Sequence, residues 1–232
     1  MASAIELRRV SAGYGETVVL EDIDLTLAPG ESVSVIGRNG VGKTTLLGTV
    51  MGHTTLHGGD VLVHGTRLNR VPTFRRARHG VGFVPQEREI FPSLSVRENL
   101  EVGARPGPWT IDRVFDLFPI LRERFSHKGH YLSGGEQQML SIARALLTNP
   151  AVILMDEPTE GLAPVIVEAL AGALRRLRRE QALSIVLVEQ NSRVALAFAE
   201  RVIVMNKGRI AYDGESALLR GDPERLARLI GV

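Results

Sequence analysis

The chain has 232 residues, of which 44% are hydrophobic, 23% charged and 5% aromatic, the profile of a globular domain with a sizeable core rather than a disordered or fibrous chain. Its formal charge of +2 is too weak and too scattered a basic excess to argue for nucleic acid, and zero cysteines exclude disulfides and thiolate metal sites. The N-terminus has no basic head before an apolar core, and no stretch approaches the ~20 apolar residues that span a bilayer, so membrane-spanning parts of any membrane process would be other chains.

Short β-branched runs alternate with longer amphipathic stretches, the pattern of an α/β protein. Ala4 to Val10, Ile23 to Ala28 and Ser32 to Gly37 predict strands, and the last runs through a glycine-rich turn into a helix from Lys43 towards Met51. Val61 to His64 and Val81 to Val84 predict two more strands. Residues 85–149 change texture: SLSVRENLEVG, TIDRVFDLFPIL and GGEQQMLSIARALL read as helices, giving a mostly helical insert. Ala151 to Met155 is a continuous apolar run, as in a strand buried on both faces. Pro164 to Glu180 follows as a helix, with Val167, Leu170, Leu174 and Leu177 at helical spacing and arginines in its last turns, where cations complement the helix dipole. Ser184 to Val188 and Val202 to Met205 predict strands, NKGRIAYDG a hairpin, and two short helical pieces finish the chain. The expected organisation is a single domain over 1–232, with a core from about 1–84 and 150–232 and a helical subdomain over about 85–149.

Three motifs carry chemistry. The segment Gly37-Arg38-Asn39-Gly40-Val41-Gly42-Lys43-Thr44 fits the phosphate-loop pattern G-x-x-x-x-G-K-[ST] between a strand and a helix. Gly40 and Gly42 permit turns that point successive N–H groups inward. The helix N-terminus adds partial positive charge, Lys43 reaches outer phosphates, and Thr44 offers a hydroxyl to Mg²⁺; Thr45 stands beside it. The apolar run at 151–155 ends in Asp156 and Glu157, where Asp156 suits the Mg²⁺ shell and Glu157 suits polarising an attacking water. Leu132 to Gln138, LSGGEQQ, precedes a helix: Ser133 can cap it and Glu136 can complete a capping box. Gly134 and Gly135 allow close approach to a ligand, making a second anion site on one chain.

With that motif the sequence resembles the nucleotide-binding subunits of ABC transporters, whose signature is LSGGQ. Glu136 stands one place early relative to the commoner glutamine. The resemblance covers nearly the whole chain, with its motifs in the family's order. It implies a phosphate-loop NTPase core of mixed sheet and helices, a helical subdomain and an antiparallel β subdomain. It implies ATP and Mg²⁺ as cofactors, hydrolysis coupled to transport, and two ATPase subunits facing head to tail. Ser133, Gly134, Gly135 and Glu136 would then meet the γ-phosphate on the partner's phosphate loop. Tyr14 matches the aromatic that stacks on adenine. Gln86 matches the glutamine that touches Mg²⁺ or water and senses the membrane subunits. Implied partners are integral-membrane permease subunits, a second identical or different ATPase subunit and, indirectly, an extracytoplasmic solute-binding protein; nucleic acid is not among them. The implied location is peripheral, on the cytoplasmic face of the inner membrane.

Two departures matter. Gln190 stands where the family usually places a histidine, and glutamine can hydrogen-bond a phosphate but cannot exchange a proton near neutral pH. Ala163 replaces a common aspartate in the loop EPTEGLAP. Those departures, with VPQEREIFPSLSVRENL, resemble the branched-chain (hydrophobic) amino-acid importers and their relatives that import urea and short amides. Alternatives from other classes are an ABC ATPase acting outside transport and a module that holds ATP but barely hydrolyses it. His53 and His57 lack a third ligand or an acidic partner for a metal, and FRRARHG, Phe74 to Gly80, reads as a solvated helix face.

Overall fold

The computed structural model describes residues 2–179 and 183–231. Its strands are β1 (Ile5–Tyr14), β2 (Thr17–Leu27), β3 (Ser32–Ile36), β4 (Thr55–Val63), β5 (Thr66–Arg67), β6 (Val81–Val84), β7 (Val152–Asp156), β8 (Ser184–Glu189), β9 (Arg201–Asn206) and β10 (Arg209–Glu215). Its α-helices are α1 (Lys43–Met51), α2 (Thr73–Arg76), α3 (Val96–Val102), α4 (Ile111–Leu117), α5 (Pro119–Glu123), α6 (Gly134–Leu147), α7 (Pro164–Arg178), α8 (Ser192–Phe198), α9 (Ser216–Arg220) and α10 (Pro223–Ile230). The end of the long helix expected at Glu180 lies outside the described residues.

A six-stranded sheet runs β10-β9-β3-β8-β7-β6. Its pairs β9–β3, β3–β8, β8–β7 and β7–β6 are parallel, and only the edge strand β10 is antiparallel. Every residue of β7 and β8 is buried, which is why they read as unbroken apolar runs rather than alternating ones. Successive side chains still point to opposite faces. Ile153 and Met155 join a cluster with Leu140, Ile142 and Leu170 from α6 and α7. Val152 and Leu154 join Leu46 and Leu47 of α1 and the inner face of the second sheet. Because the five strands are parallel, the ends of β3, β7, β8 and β6 open on one edge, where open α/β sheets bind ligands.

The second sheet is antiparallel, β2-β1-β4-β5. It extends well beyond the predicted strands: β1 continues to Tyr14, β2 starts at Thr17 and β4 starts at Thr55. Bulges interrupt the β1–β2 register between Leu7 and Gly13, with Arg9 at φ 45, so the period-two pattern is broken in the sequence. The first half of β4, TLHGGD, has turn composition, yet pairs with β1 at Ser11–Gly58 and Gly13–Thr55. Pairing overrides propensity there.

In the helical region TIDRVFDLFPIL forms two helices, not one. Phe118 leaves the helical range at φ −131, ψ 77, and Pro119 begins α5 at its first position, since proline lacks an N–H and restricts the residue before it. The reading of FRRARHG as a solvated face is corrected at Arg76, which is 5% exposed. Its guanidinium donates to the carbonyls of Thr49, Val50, Leu68 and Val71 at 2.9, 2.6, 2.8 and 3.0 Å. Two of these end α1, so Arg76 satisfies orphan carbonyls and complements the negative helix end. The other arginines of the cluster, Arg75 and Arg78, are exposed.

Arg76→Met takes the donor from the Val50 and Val71 carbonyls, while Thr49 and Leu68 keep the N–H groups of Gly52 and Val71; each carbonyl left unpaired costs about 1–3 kcal/mol. The variant is expected to lose roughly 3 kcal/mol of stability by denaturant unfolding, with its phosphate loop a turn or more away unaltered in sequence.

Candidate functional site

The phosphate-loop segment leaves β3 at Ile36 and enters α1 at Lys43. Gly42 caps the helix at φ 106 and Gly40 sits at φ 79, conformations that side chains rarely adopt. At Gly37 the constraint is space: a Cβ there would stand 2.6 Å from the Met205 carbonyl oxygen. The loop therefore packs against the end of β9 and presents the start of α1 to the open edge of the sheet. Val41 and Thr45 are buried beneath it, while Arg38 and Asn39 are exposed. Arg38 donates to the Gly231 carbonyl at 3.1 Å, tying the loop to the end of α10.

Lys43 is 4% exposed. Its Nζ donates to the carbonyls of Gly37 and Arg38 at 3.0 and 3.1 Å and pairs with Glu157 Oε1 at 3.2 Å. Glu157 is 6% exposed and held at φ 46; Gln190 Nε2 donates to its other oxygen, Oε2. Lys43, Thr44, Thr45, Asn39, Gly40, Gly42, Gln86, Glu157 and Gln190 line one cavity of about 240 Å³, with Val19 and Glu160. Neither Val19 nor Glu160 was singled out in the sequence. Gln86, expected at a metal or water, lines this cavity and donates to Glu160 Oε2. A carboxylate three residues beyond Glu157 was the available signal.

Asp156 lies beneath this cavity, 1% exposed. Burial lifts its carboxyl from 3.8 to about 6, against the pull of the Thr44 hydroxyl, and the Glu157 charge adds to the rise. Its Oδ1 is buried without a hydrogen-bond partner. An orphaned carboxylate oxygen beside the Thr44 hydroxyl, next to a cavity that Gln86 also lines, is an oxygen-only donor set that fits a hard cation such as Mg²⁺. Among the described residues no cluster of three or more His, Cys, Asp or Glu is placed to hold a metal by itself. A cation here would therefore need further oxygens from solvent or substrate, as Mg²⁺ habitually takes.

Ser133 to Glu136 do not line that cavity. Ser133 Oγ accepts from Glu136 N at 3.3 Å and Glu136 Oε2 accepts from Ser133 N at 2.7 Å, the reciprocal cap of α6. Arg124 pairs with Glu136 at 3.0 Å. Both glycines also have packing reasons. A Cβ on Gly135 would meet Ile166 Cγ2 at 2.6 Å, and one on Gly134 would meet the Arg88 guanidinium at 3.1 Å. Tyr14 ends β1 at the hairpin, 52% exposed, and does not line the cavity, although Val19 of the same hairpin does.

A phosphate cradle, a lysine and two acidic residues at the end of a buried parallel strand together define a phosphate-loop ATPase. Residues 20–160 match the family model described as ABC transporter. The chain is 40% identical to the high-affinity branched-chain amino acid transport ATP-binding protein BraG of Pseudomonas aeruginosa, over 96% of this chain and 98% of that protein. It is 35% identical to the probable branched-chain amino acid transport ATP-binding protein LivF of Archaeoglobus fulgidus, over 89% of each. Among solved structures it resembles the dimeric structure of MJ0796, a bacterial ABC transporter cassette, with a TM-score of 0.79 and 30% identity, covering 91% of this chain and 98% of that one. The chain belongs to the ABC transporter family. Its activity is ATP hydrolysis coupled to transport.

Between about pH 4 and 6 the folded chain holds protons on Asp156 that the unfolded chain has released, so stability falls as pH rises through that window and the loss is complete above it. Without metal or nucleotide, Asp156→Asn is expected to be the more stable protein near pH 8, by on the order of 2 kcal/mol, with the gain disappearing near pH 4. Thermal unfolding in a chelator at both pH values measures it.

Proposed function

We propose that this chain is the ATP-driven subunit of an importer for branched-chain or other hydrophobic amino acids, working as a dimer. The observation that carries the reading is the split between its two anion-facing motifs. Lys43, Thr44, Glu157 and Gln190 share one cavity, while Ser133 to Glu136 stand outside it on the start of α6. A site assembled from the cavity of one subunit and the α6 start of another uses both motifs; one subunit alone uses only the first.

In the proposed cycle the ATP phosphates enter the cradle and take Lys43 from Glu157, a pair buried on both sides. Mg²⁺ held by Thr44, Asp156 and Gln86 would supply charge neutralisation of the phosphates. Tyr14 stacks on the adenine. Glu157, released from Lys43 but still held by Gln190, polarises the attacking water; Gln190 orients it and does not titrate. Closure against the partner brings Ser133, Gly134 and Gly135 to its γ-phosphate. Gln86 leaves Glu160 in that step, which links the cavity to residues facing the membrane subunits. No described helix is long and apolar enough to cross a membrane; in this reading the permease subunits are other chains. The subunit would sit peripherally on the cytoplasmic face of the inner membrane, with a second identical or different ATPase and, beyond the membrane, a solute-binding protein.

The amino-acid substrate rests on the BraG and LivF similarity over nearly the full length. Urea or a short amide is the second reading, carried by VPQEREIFP and Gln190. The same cassette also matches the spermidine/putrescine import protein PotA of Haemophilus ducreyi, 33% identical over 98% of this chain and 62% of that one. A solute that never touches the cassette explains how relatives this similar serve such different cargoes.

Glu157→Gln is expected to lower ATP turnover by about 10²-fold or more and to form a dimer on sizing only with Mg-ATP. Lys43→Ala is expected to lose both ATP affinity and turnover. A monomer under every nucleotide condition would overturn the shared-site reading. Uptake of labelled leucine against labelled urea, by vesicles carrying the complete transporter, decides the cargo.

A further inference from the structure

Glu189 ends β8 with 2% of its surface exposed, and nothing in the cycle above uses it. Its Oε1 accepts two hydrogen bonds from one residue, the Thr159 N–H at 3.1 Å and the Thr159 hydroxyl at 2.8 Å. Thr159 is itself 6% exposed. Both neighbours of Glu189 hold the same turn. The Val188 carbonyl accepts from the Glu157 N–H at 2.9 Å, and Gln190 donates to the Glu157 carboxylate. Three consecutive residues at the end of β8 thus grip the turn that follows β7. That turn needs holding, because Glu157 is a non-glycine residue in the left-handed region at φ 46.

A buried carboxylate is an expensive way to fill space, since desolvation opposes its charge and an apolar side chain would pack without that cost. Burial lifts the Glu189 carboxyl to about 6, against the bonds from Thr159 and from the Asn191 N–H, and both Thr159 donors are spent on this one carboxyl group. We infer that Glu189 is a positioning residue for ATP hydrolysis: through Thr159 it fixes the turn that aims Glu157 at the γ-phosphate. The inference rests on the role proposed for Glu157.

The test compares kcat and KM of the full-length chain with Mg-ATP. Glu189→Ala removes the acceptor and is expected to lower kcat roughly 10- to 100-fold, as misplacement of a catalytic group does, with KM for ATP within about twofold. Glu189→Gln keeps a carbonyl oxygen facing both Thr159 donors and is expected to hold kcat within about threefold of the parent. Thr159→Val removes one bond and is expected to fall between them; combined with Glu189→Ala it should add nothing. A kcat for Glu189→Ala within about twofold of the parent, or a loss carried by KM, overturns the inference. If Glu189→Ala does not fold, Thr159→Val decides: lower kcat at constant KM supports the tie, and unchanged kcat overturns it. Glu157→Gln run alongside separates the two readings. Turnover surviving in Glu157→Gln overturns both, whereas turnover lost there but intact in Glu189→Ala overturns this one alone.

Discussion

Everything at the site depends on β7 and β8 lying side by side, parallel and buried on both faces. Such strands are apolar along most of their length, and the charged residues that end them, Asp156 and Glu189, fall together at the same edge of the sheet. Asp156 pairs in register with Val188, which sets Asp156 and Glu157 against Val188 and Glu189. β3, on the far side of β8, ends at the same level and delivers the phosphate cradle. The catalytic arrangement is what a hydrophobic sheet core leaves at its open edge.

That placement brings the carboxylates Asp156, Glu157, Glu160 and Glu189 into one region, and like charges in a poorly solvated place oppose one another. The structure relieves this differently at each. Glu157 pairs with the charge of Lys43, Glu189 accepts two hydrogen bonds from Thr159, and Glu160 accepts one from Gln86. Asp156 alone keeps a buried oxygen unpartnered and shows the larger upward displacement from its ordinary value. The least satisfied group is the one with the most to gain from a cation.

What was legible in the sequence was what is local. The phosphate loop, the Asp-Glu pair and the Ser-x-x-Glu cap each fall within a few residues, and their geometry is dictated by one turn or one helix start. The parallel strands were legible too, as apolar runs bounded by polar ends. What escaped was carried by long-range contacts. Arg76 sits in a string of basic residues whose period looks solvated, yet it reaches carbonyls 26 and 27 residues away at Val50 and Thr49. Gln86 meets Glu160 across 74 residues. β4 has a turn's composition and becomes a strand because β1 lies beside it. Bulges hid the second half of β1, from Ser11 to Tyr14, for the opposite reason, an intact strand whose alternation is broken.

Glu189 shows how far the local logic can be pushed. It follows an apolar run just as Asp156 does, and the parallel register sets Asp156 beside Val188, one residue before Glu189. Reading both strand ends by one rule would have marked Glu189 as soon as Asp156 was marked. The sequence pattern did not suggest that rule, because a carboxylate before Gln190 looks like a helix-start residue for α8, a task that Asn191 actually performs by accepting from Arg193 N and Val194 N. With Asn191 capping, Glu189 is free to face inward. The replacement of histidine by Gln190 then alters less than it suggests. The two residues before Gln190 anchor the Glu157 turn through the Val188 backbone and the Glu189 side chain, so the orientation of Glu157 does not hang on a titrating ring. Position is distributed over three ties, and only one of them passes through the residue that departs from the family pattern.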